Sequence, residues 1–438
     1  MIEEPLSYPS RRVLLEHLDF NTRFHLVKRV PALQKMDKSV PQHINYLCFD
    51  NMRMMINDRE YKFGTLRHYD TKSTNQRVIM DNRSGGVPYD LDSNGLEEES
   101  FDGLTPGDIQ IRAELDTNGE KQRQRAEVQS RKRSEAHIRF LEANLLAQGE
   151  GQEPWEQEMQ AHVRNRLDSV RRYSDAREYN RHNILPPQRT FIQLTVSLFG
   201  IERFSRGDDK LHNAEKYLAS KLFGNAYQNL VHVKRLVIYS DYMTIRLPEN
   251  LKFKISELQT IGDFPRVFGP LSQVLKDSES LEYLILNEYI RTANDLNHPA
   301  IRNAKKLHLP YQISSGLWFE VLSNLGTKVV HFDYDHWSIE EYWVRIENWV
   351  RIVQLWVRDN KEVGTCFTFL VNQYESPKKS WCFDIMDIII EEIGGKKVNK
   401  NCITVPMSIT SELRLSYEPF TGNKWAMKME VVRSEQSD

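Results

Sequence analysis

The chain has 438 residues, 40% of them apolar and 27% charged, with 59 basic against 61 acidic side chains. So even a balance gives no general drive toward nucleic acid or an anionic membrane, and this length predicts two or three domains. The four cysteines, Cys48, Cys366, Cys382 and Cys402, lie far apart without a C-x-x-C pair, which argues against a disulfide framework or zinc knuckle and suits a reducing compartment. No run approaches the ~18 apolar residues of a membrane span. The opening MIEEPLSYPSRR has no apolar run after a basic stretch, so no signal peptide is expected. The chain reads as cytoplasmic or nuclear, with neither a membrane nor a nucleic-acid partner and no cofactor.

In chain order, the first ~35 residues read as two short helices. Pro9 sits where a first helical turn tolerates proline. Val13, Leu14 and Leu18 follow at helical spacing, and Asp19 and Asn21 offer a break and a new N-cap. Phe24, Leu26, Val27 and Val30 make a second apolar face, stopped by Pro31. From Ile44 to about Tyr69 the texture predicts strands, with a hairpin turn at Asn57-Asp58. Residues 70–118 are punctuated by Ser84-Gly85-Gly86, Thr105-Pro106-Gly107 and Asn118-Gly119 and read as loops.

Residues 119–185 read as a charged helical arm or linker, split at Gly149 to Pro154, with Trp155, Met159, Val163, Leu167 and Val170 as a narrow apolar stripe in the second half. Pro186-Pro187 marks a boundary. RTFIQLTVSLF then alternates as a strand, with Ile192, Leu194 and Val196 on one face, and Ala214 to Phe223 reads as a helix. Five related segments follow: VKRLVIY, SELQTIG, LEYLILN, AKKLHLP and VVHFDYD. Their anchors Leu236, Leu258, Leu284, Leu307 and Val330 recur every 22–26 residues. A strand per unit at that period is the leucine-rich-repeat pattern, in which units stack to bury faces that none can bury alone. Helical pieces are expected at Val267 to Leu275, Leu317 to Leu325 and Ser338 to about Arg351, then the strand GTCFTFLV, a helix near Phe383 to Ile393, and strands at ITVP, ELRLSYEPF and KWAMKMEVV. Residues 433–438 form a polar, frayed tail.

Because strand side chains alternate faces, the repeats name an outward face: Arg235, Val237, Tyr239, Tyr283, Ile285, Asn287, Lys306, His308, His331, Asp333 and Asp335. That face is the predicted partner surface. His331, Asp333 and Asp335 hold metal-ligand chemistry, but alternate strand residues lie roughly 6.6–7 Å apart, too far to converge on one ion. Asp90, Asp92, Asn94 and Gly95 open like a calcium loop, yet Phe101 stands where its bidentate glutamate belongs; an Asx-rich turn fits better. Trp337, Trp343, Trp349 and Trp356 recur as on a packed helix face. The KQRQR and SRKRS clusters are interspersed with acids and read as a solvated helix. No G-x-S-x-G, H-E-x-x-H, G-x-G-x-x-G or P-loop occurs.

The segment PLSYPSRRVLLEHLDFNTRFHLVKRVPAL, residues 5–33, resembles an F-box: Pro5, Leu6, Val13, Leu14, Leu18, Asp19 and Leu26 sit at matching places. Pro5 and Leu6 stand in reversed order, and Ala32-Leu33 replaces the usual closing aromatic. The whole chain is similar to a nematode-expanded family of uncharacterised F-box-like proteins. The likeness rests on VPxxINxLxF at Val40 to Phe49, GGVPYDLDSNG at Gly85 to Gly95 and FIQLT at Phe191 to Thr195. KYLASKLFG at Lys216 to Gly224, IEEYWVRIENWV at Ile339 to Val350 and EVGTCFTF at Glu362 to Phe369 add to it. The resemblance implies a substrate-recognition adaptor of a cullin-based ubiquitin ligase. Pro5, Leu6, Val13, Leu14, Leu18 and Leu26 would then bind the ligase's adaptor subunit, and the repeat domain would bind an unknown client protein. A binding or scaffold module with no ubiquitin-ligase link is the alternative. The expected fold is α+β: an F-box-like helical start and small β region (1–118), the arm (119–185) and a leucine-rich-repeat-like α/β domain (186–432). A non-enzymatic interaction protein is the functional expectation.

Overall fold

A computed structural model describes residues 7–69, 76–91, 97–98, 103–111, 140, 143, 188–197, 200–204, 210–240, 243–277, 281–287, 290, 292–309, 318–332, 346–372, 378–420 and 424–434. Apart from two isolated positions, the expected arm at 119–185 lies outside these residues, as do 435–438 of the expected tail. The chain forms two compact units. The first comprises Met1–Gln42, Cys48–Asn229 and Tyr242–Leu251; the second comprises His43–Leu47, Leu230–Asp241 and Lys252–Asp438. Helices and strands occur in both, an α+β organisation.

In the first unit, α1 (Tyr8–His17) and α2 (Phe20–Arg29) form where their caps dictate. Ser7 caps α1, with Pro9 in its first turn. Asp19 caps α2 by accepting from the backbone N–H groups of Asn21 and Thr22 at 2.9 and 3.3 Å, satisfying donors that a helix start leaves open. The short α3 (Gln34–Asp37) follows a 3-10 turn at Pro31–Leu33. Leu15, Val27, Leu33, Met36 and Val40 make one small core, with Leu18 and Leu26 at its margin.

Through that core runs Arg23, 4% exposed. Its Nε donates to the Asp37 carboxylate at 2.6 Å. One terminal nitrogen donates to the carbonyls of Leu15 and Pro41 at 3.3 and 2.7 Å, the other to those of Asp37 and Val40 at 2.9 and 2.8 Å. A guanidinium carries five N–H donors, and here all five are used.

The predicted hairpin is present: β2 (Arg53–Ile56) pairs antiparallel with β3 (Arg59–Tyr69) around Asn57, whose φ is 55°. The fully buried Asn21 of α2 donates to the Ile56 carbonyl at 2.8 Å and accepts from the Tyr61 hydroxyl at 2.9 Å, fastening helix to hairpin. β1 (Gln42–Asp50) contributes Cys48–Asp50 beside β2. The loop-rich stretch contains elements that its turn residues concealed: α4 (Gln76–Arg83) and β4 (Ile109–Ile111), which pairs with Met243–Ile245. Asn82 of α4 acts as a surrogate strand, accepting from Arg67 N at 3.1 Å and donating to Arg67 O at 2.8 Å. Beyond α4, Val87 exchanges two backbone hydrogen bonds with Thr65 at 2.9 and 3.1 Å. Gly86, with φ 93°, lies so close to Gly64 and Thr65 that a Cβ would collide with their backbone. β5 (Gln188–Val196) joins the free edge of β3, and β6 (Gly200–Phe204) pairs with β5. Ile192, Leu194 and Val196 are buried as their alternation predicts. The next helix, α5 (Leu211–Phe223), begins three residues before the expected Ala214 and buries Leu211, Leu218, Leu222 and Phe223. β5 belongs with β3 in the first unit, and the segment after α5 enters the second unit at Leu230.

In the second unit the five repeat strands are Leu230–Ile238, Lys252–Ile261, Tyr283–Asn287, Lys306–Leu309 and Val329–Phe332. They lie side by side in chain order, all parallel, and Cys366–Asn372 extends the series as a sixth. The register aligns every anchor: Leu236 with Leu258, then Leu284, Leu307, Val330 and Phe367. The five predicted anchors are 0% exposed, so the 22–26-residue spacings differ only in the connections. Those connections carry helices, including Phe264–Ser272, Trp318–Asn324 and Ile346–Arg358. On the last, Trp349 and Trp356 are buried edge-on against Phe369 and Phe367, at centroid distances of 4.8 Å each. Their seven-residue spacing is thus a packed helix face, while Trp337 and Trp343 lie outside the described residues. After the helix Lys378–Ile393 the direction changes. Lys424–Arg433, Ser411–Pro419, Cys402–Pro406 and Lys396–Asn399 add four antiparallel strands beyond Cys366–Asn372.

Replacing Arg23 by leucine strands a buried carboxylate and removes the side-chain donor from four carbonyls. Breaking a buried pair in this way costs about 3–5 kcal/mol. Urea denaturation of Arg23→Leu should show a loss of that size; a loss below ~1 kcal/mol would mean that the arginine does not organise this core.

Candidate functional site

The outer face of the parallel ladder is built by residues flanking the buried anchors. Beside the Leu236 row, register places Val237, Gln259, Ile285, His308, His331 and Thr368 in one line. Arg235 donates to the Gln259 side-chain oxygen at 2.8 Å. The rings of Tyr283 and His308 stack at 6.2 Å with a 2° interplanar angle. Burial holds the His331 imidazole below its ordinary pKa, reinforced by the charges of Lys306 and Lys428, so it faces the row neutral at pH 7. Tyr239 is 54% exposed, Lys306 is exposed, and Arg235, Tyr283, Asn287, His308 and His331 are half-buried.

Two expected face residues are not available to a partner. Val237 and Ile285 are 1% and 4% exposed. Ile285 lies in register between the longer Gln259 and His308, and a branched aliphatic side chain flanked in this way is shielded by its neighbours. Strand alternation fixes the face but not the depth, which depends on side-chain length in the adjoining strands. Asp333 and Asp335 lie outside the described residues, and no group of three or more His, Cys, Asp or Glu that could hold a metal occurs among the described ones.

At the N-terminus, Val13 and Leu14 of α1 are 52% and 39% exposed, and Tyr8 is 64% exposed. Leu18 and Leu26 are partly buried against the small core. Pro5 and Leu6 lie outside the described residues. The fully buried residue of α1 is Leu15, which the sequence reading passed over. A helix buries one stripe, here Leu15 with Leu18, and three consecutive apolar residues cannot all join it.

A polar cluster in the first unit also went unnoticed, because its members are scattered along the chain. Asp108 has no exposed side-chain surface and is ion-paired to Lys216 and Arg246, each at 2.8 Å. Burial alone would raise its pKa, but hydrogen bonds from Lys216, Thr105 and Arg246 outweigh burial and hold it below the ordinary value. Asp90, first of the calcium-like residues, instead accepts from Leu211 N at 2.9 Å at the start of α5; Asp92, Asn94 and Gly95 lie outside the described residues. Nearby Glu215 is fully enclosed, and burial pushes its pKa up to about 8 against the attraction of Arg246. The cluster ties the Thr105–Asp108 turn to α5 and to Arg246, a structural use of charge. The four cysteines are buried and unpaired by disulfides. Burial raises the Cys366 and Cys402 thiols and pushes Cys382 up to about 12, keeping them protonated and poorly nucleophilic at neutral pH.

Glu215 makes stability depend on pH. Unfolded, it ionises near 4.5; folded, it holds its proton to about 8. The stabilisation is therefore full below pH 4.5 and is lost as pH rises through about 8. Relative to Glu215→Gln, the wild type should lose roughly 1.4 kcal/mol per pH unit across that window. Urea midpoints measured from pH 5 to 8 test this; parallel curves for the two proteins would show that Glu215 is ionised when folded.

No helix among the described residues is long and apolar enough to cross a membrane. Neither the curated proteins nor the solved structures provide a match to the chain. Residues 210–373 match the family model described as a domain of unknown function (DUF3557), a span that begins just before α5 and takes in all six parallel strands.

Proposed function

We propose that this is a non-enzymatic protein-interaction protein, and specifically an F-box-like substrate-recognition adaptor of a cullin-based ubiquitin ligase. In this reading residues near Pro5 to Leu26 engage the ligase's adaptor subunit, while the second unit is leucine-rich-repeat-like and presents a client to the ligase. The observation that carries the interaction role is the ladder: five repeats supply adjacent parallel strands in one register, with the polar and aromatic side chains of Arg235, Tyr239, Tyr283, Lys306, His308 and His331 flanking the anchors. Repeat architectures use such extended faces to bind partners. The ligase role is supported by the F-box-like order of residues in α1 and α2 and by the apolar pair Val13 and Leu14, which α1 leaves exposed. Each such side chain would contribute roughly 1.5–3 kcal/mol if fully buried by a partner. Leu18 and Leu26 pack on the chain's own core, which favours the second reading, a binding module with no ligase link.

Co-expression with a purified ligase adaptor subunit tests the choice. The double variant Val13→Asp, Leu14→Asp should keep the wild-type melting temperature and lose co-purification. Leu15→Asp, at a position with 0% exposure, should unfold the helical core and serves as the contrast. Co-purification undiminished by the double variant, or absent from the wild type, would leave the interaction module as the reading.

On the ladder, Tyr239→Ala and Lys306→Glu should leave folding unchanged and abolish capture of a client identified with the wild type. A client retained by both variants binds elsewhere.

A further inference from the structure

We propose that the first unit contains a binding site for a small organic anion with an apolar body. A cavity of about 620 Å³ lies between α2 and α5 over the β3–β5 sheet, within the size range of small-molecule sites. Tyr61, Leu194 and Val196 supply sheet residues to its lining. Phe20, Phe24 and Lys28 come from α2, and Tyr217, Lys221 and Leu222 from α5. The helices are joined by a contact between the rings of Phe20 and Phe223 at 6.0 Å, so the walls are fixed by packing.

The charge of the lining is one-sided. It contains Arg23, Lys28, Lys38 and Lys221 but a single carboxylate, Asp37. That carboxylate is committed to Arg23 at 2.6 Å, and all five N–H donors of Arg23 are taken within the protein. The pair is electrically balanced and offers a ligand nothing. Of the lysines, neither Lys38 nor Lys221 has a carboxylate partner among the described residues. The Lys221 ammonium lies 5.1 Å from the centroid of the Tyr217 ring, itself 51% exposed. A concave, partly apolar wall with uncompensated positive charge concentrates anions, and its aromatic rings favour a ligand with a flat or chain-like apolar portion. Carboxylate and phosphate headgroups share this chemistry. The site is independent of the ladder and of the exposed face of α1.

The full-length chain is titrated with 1-anilinonaphthalene-8-sulfonate and, separately, with its uncharged relative N-phenyl-1-naphthylamine, under conditions where a cooperative thermal transition shows it folded. The sulfonate should bind at one site per chain. Lys221→Glu and Lys38→Glu, both at exposed positions, should each weaken it by about tenfold while leaving melting and binding of the neutral dye unchanged. Dodecanoate and dodecyl phosphate, in separate arms, should displace the sulfonate, and the stronger competitor identifies the preferred headgroup. Equal binding of both dyes with no effect of the lysine variants would overturn the proposal, as would failure of both dodecyl anions to compete. Displacement by an oligoglutamate peptide but by neither dodecyl anion would assign the cavity to acidic protein segments instead.

Discussion

The first unit is organised around one buried cation. Arg23 can be buried because every N–H it carries has an acceptor, four of them carbonyls where the chain turns between short elements. Those carbonyls, at Leu15, Asp37, Val40 and Pro41, belong to α1, α3 and the entry to β1, while the arginine itself stands on α2. Short helices are marginal by themselves; here a single guanidinium satisfies their open ends and sets their mutual positions. The apolar core of Leu15, Val27, Leu33, Met36 and Val40 then closes around it. Asn21 carries the same logic one step outward, from α2 to the hairpin.

The second unit rests on a different constraint, the register of its parallel strands. One residue of slip would turn each anchor from core to surface. With Leu236, Leu258, Leu284, Leu307 and Val330 in a single line, helices of unequal length and loops of unequal composition can fill the spaces between strands without disturbing the sheet.

Much of this was legible in the sequence, for identifiable reasons. Periodicity revealed the anchors, since a buried strand must repeat its apolar residue at one depth. Local chemistry revealed the Asp19 cap and the Asn57 turn. What was missed depends on residues far apart in the chain. Leu15 could not be chosen over Val13 and Leu14 without knowing which side of α1 met α3. The burial of Val237 and Ile285 depends on the length of side chains in neighbouring strands. The cluster of Asp108, Lys216, Glu215 and Arg246 draws on three separated segments, and α4 was hidden among glycine-rich turns that in fact serve its packing against β3.

The change of direction beyond Cys366–Asn372 has a further consequence. The antiparallel strands end at Lys396–Asn399, whose four residues are all exposed, Val398 at 59%. A strand with one unpaired side is a template onto which another chain can align and grow. Here the template is only four residues long, opens with Lys396 and Lys397, and is followed by Lys400. A second copy approaching in register would set like charges against each other before its backbone could pair. The shortness and like charge of the terminal strand therefore work against edge-to-edge self-association of the sheet.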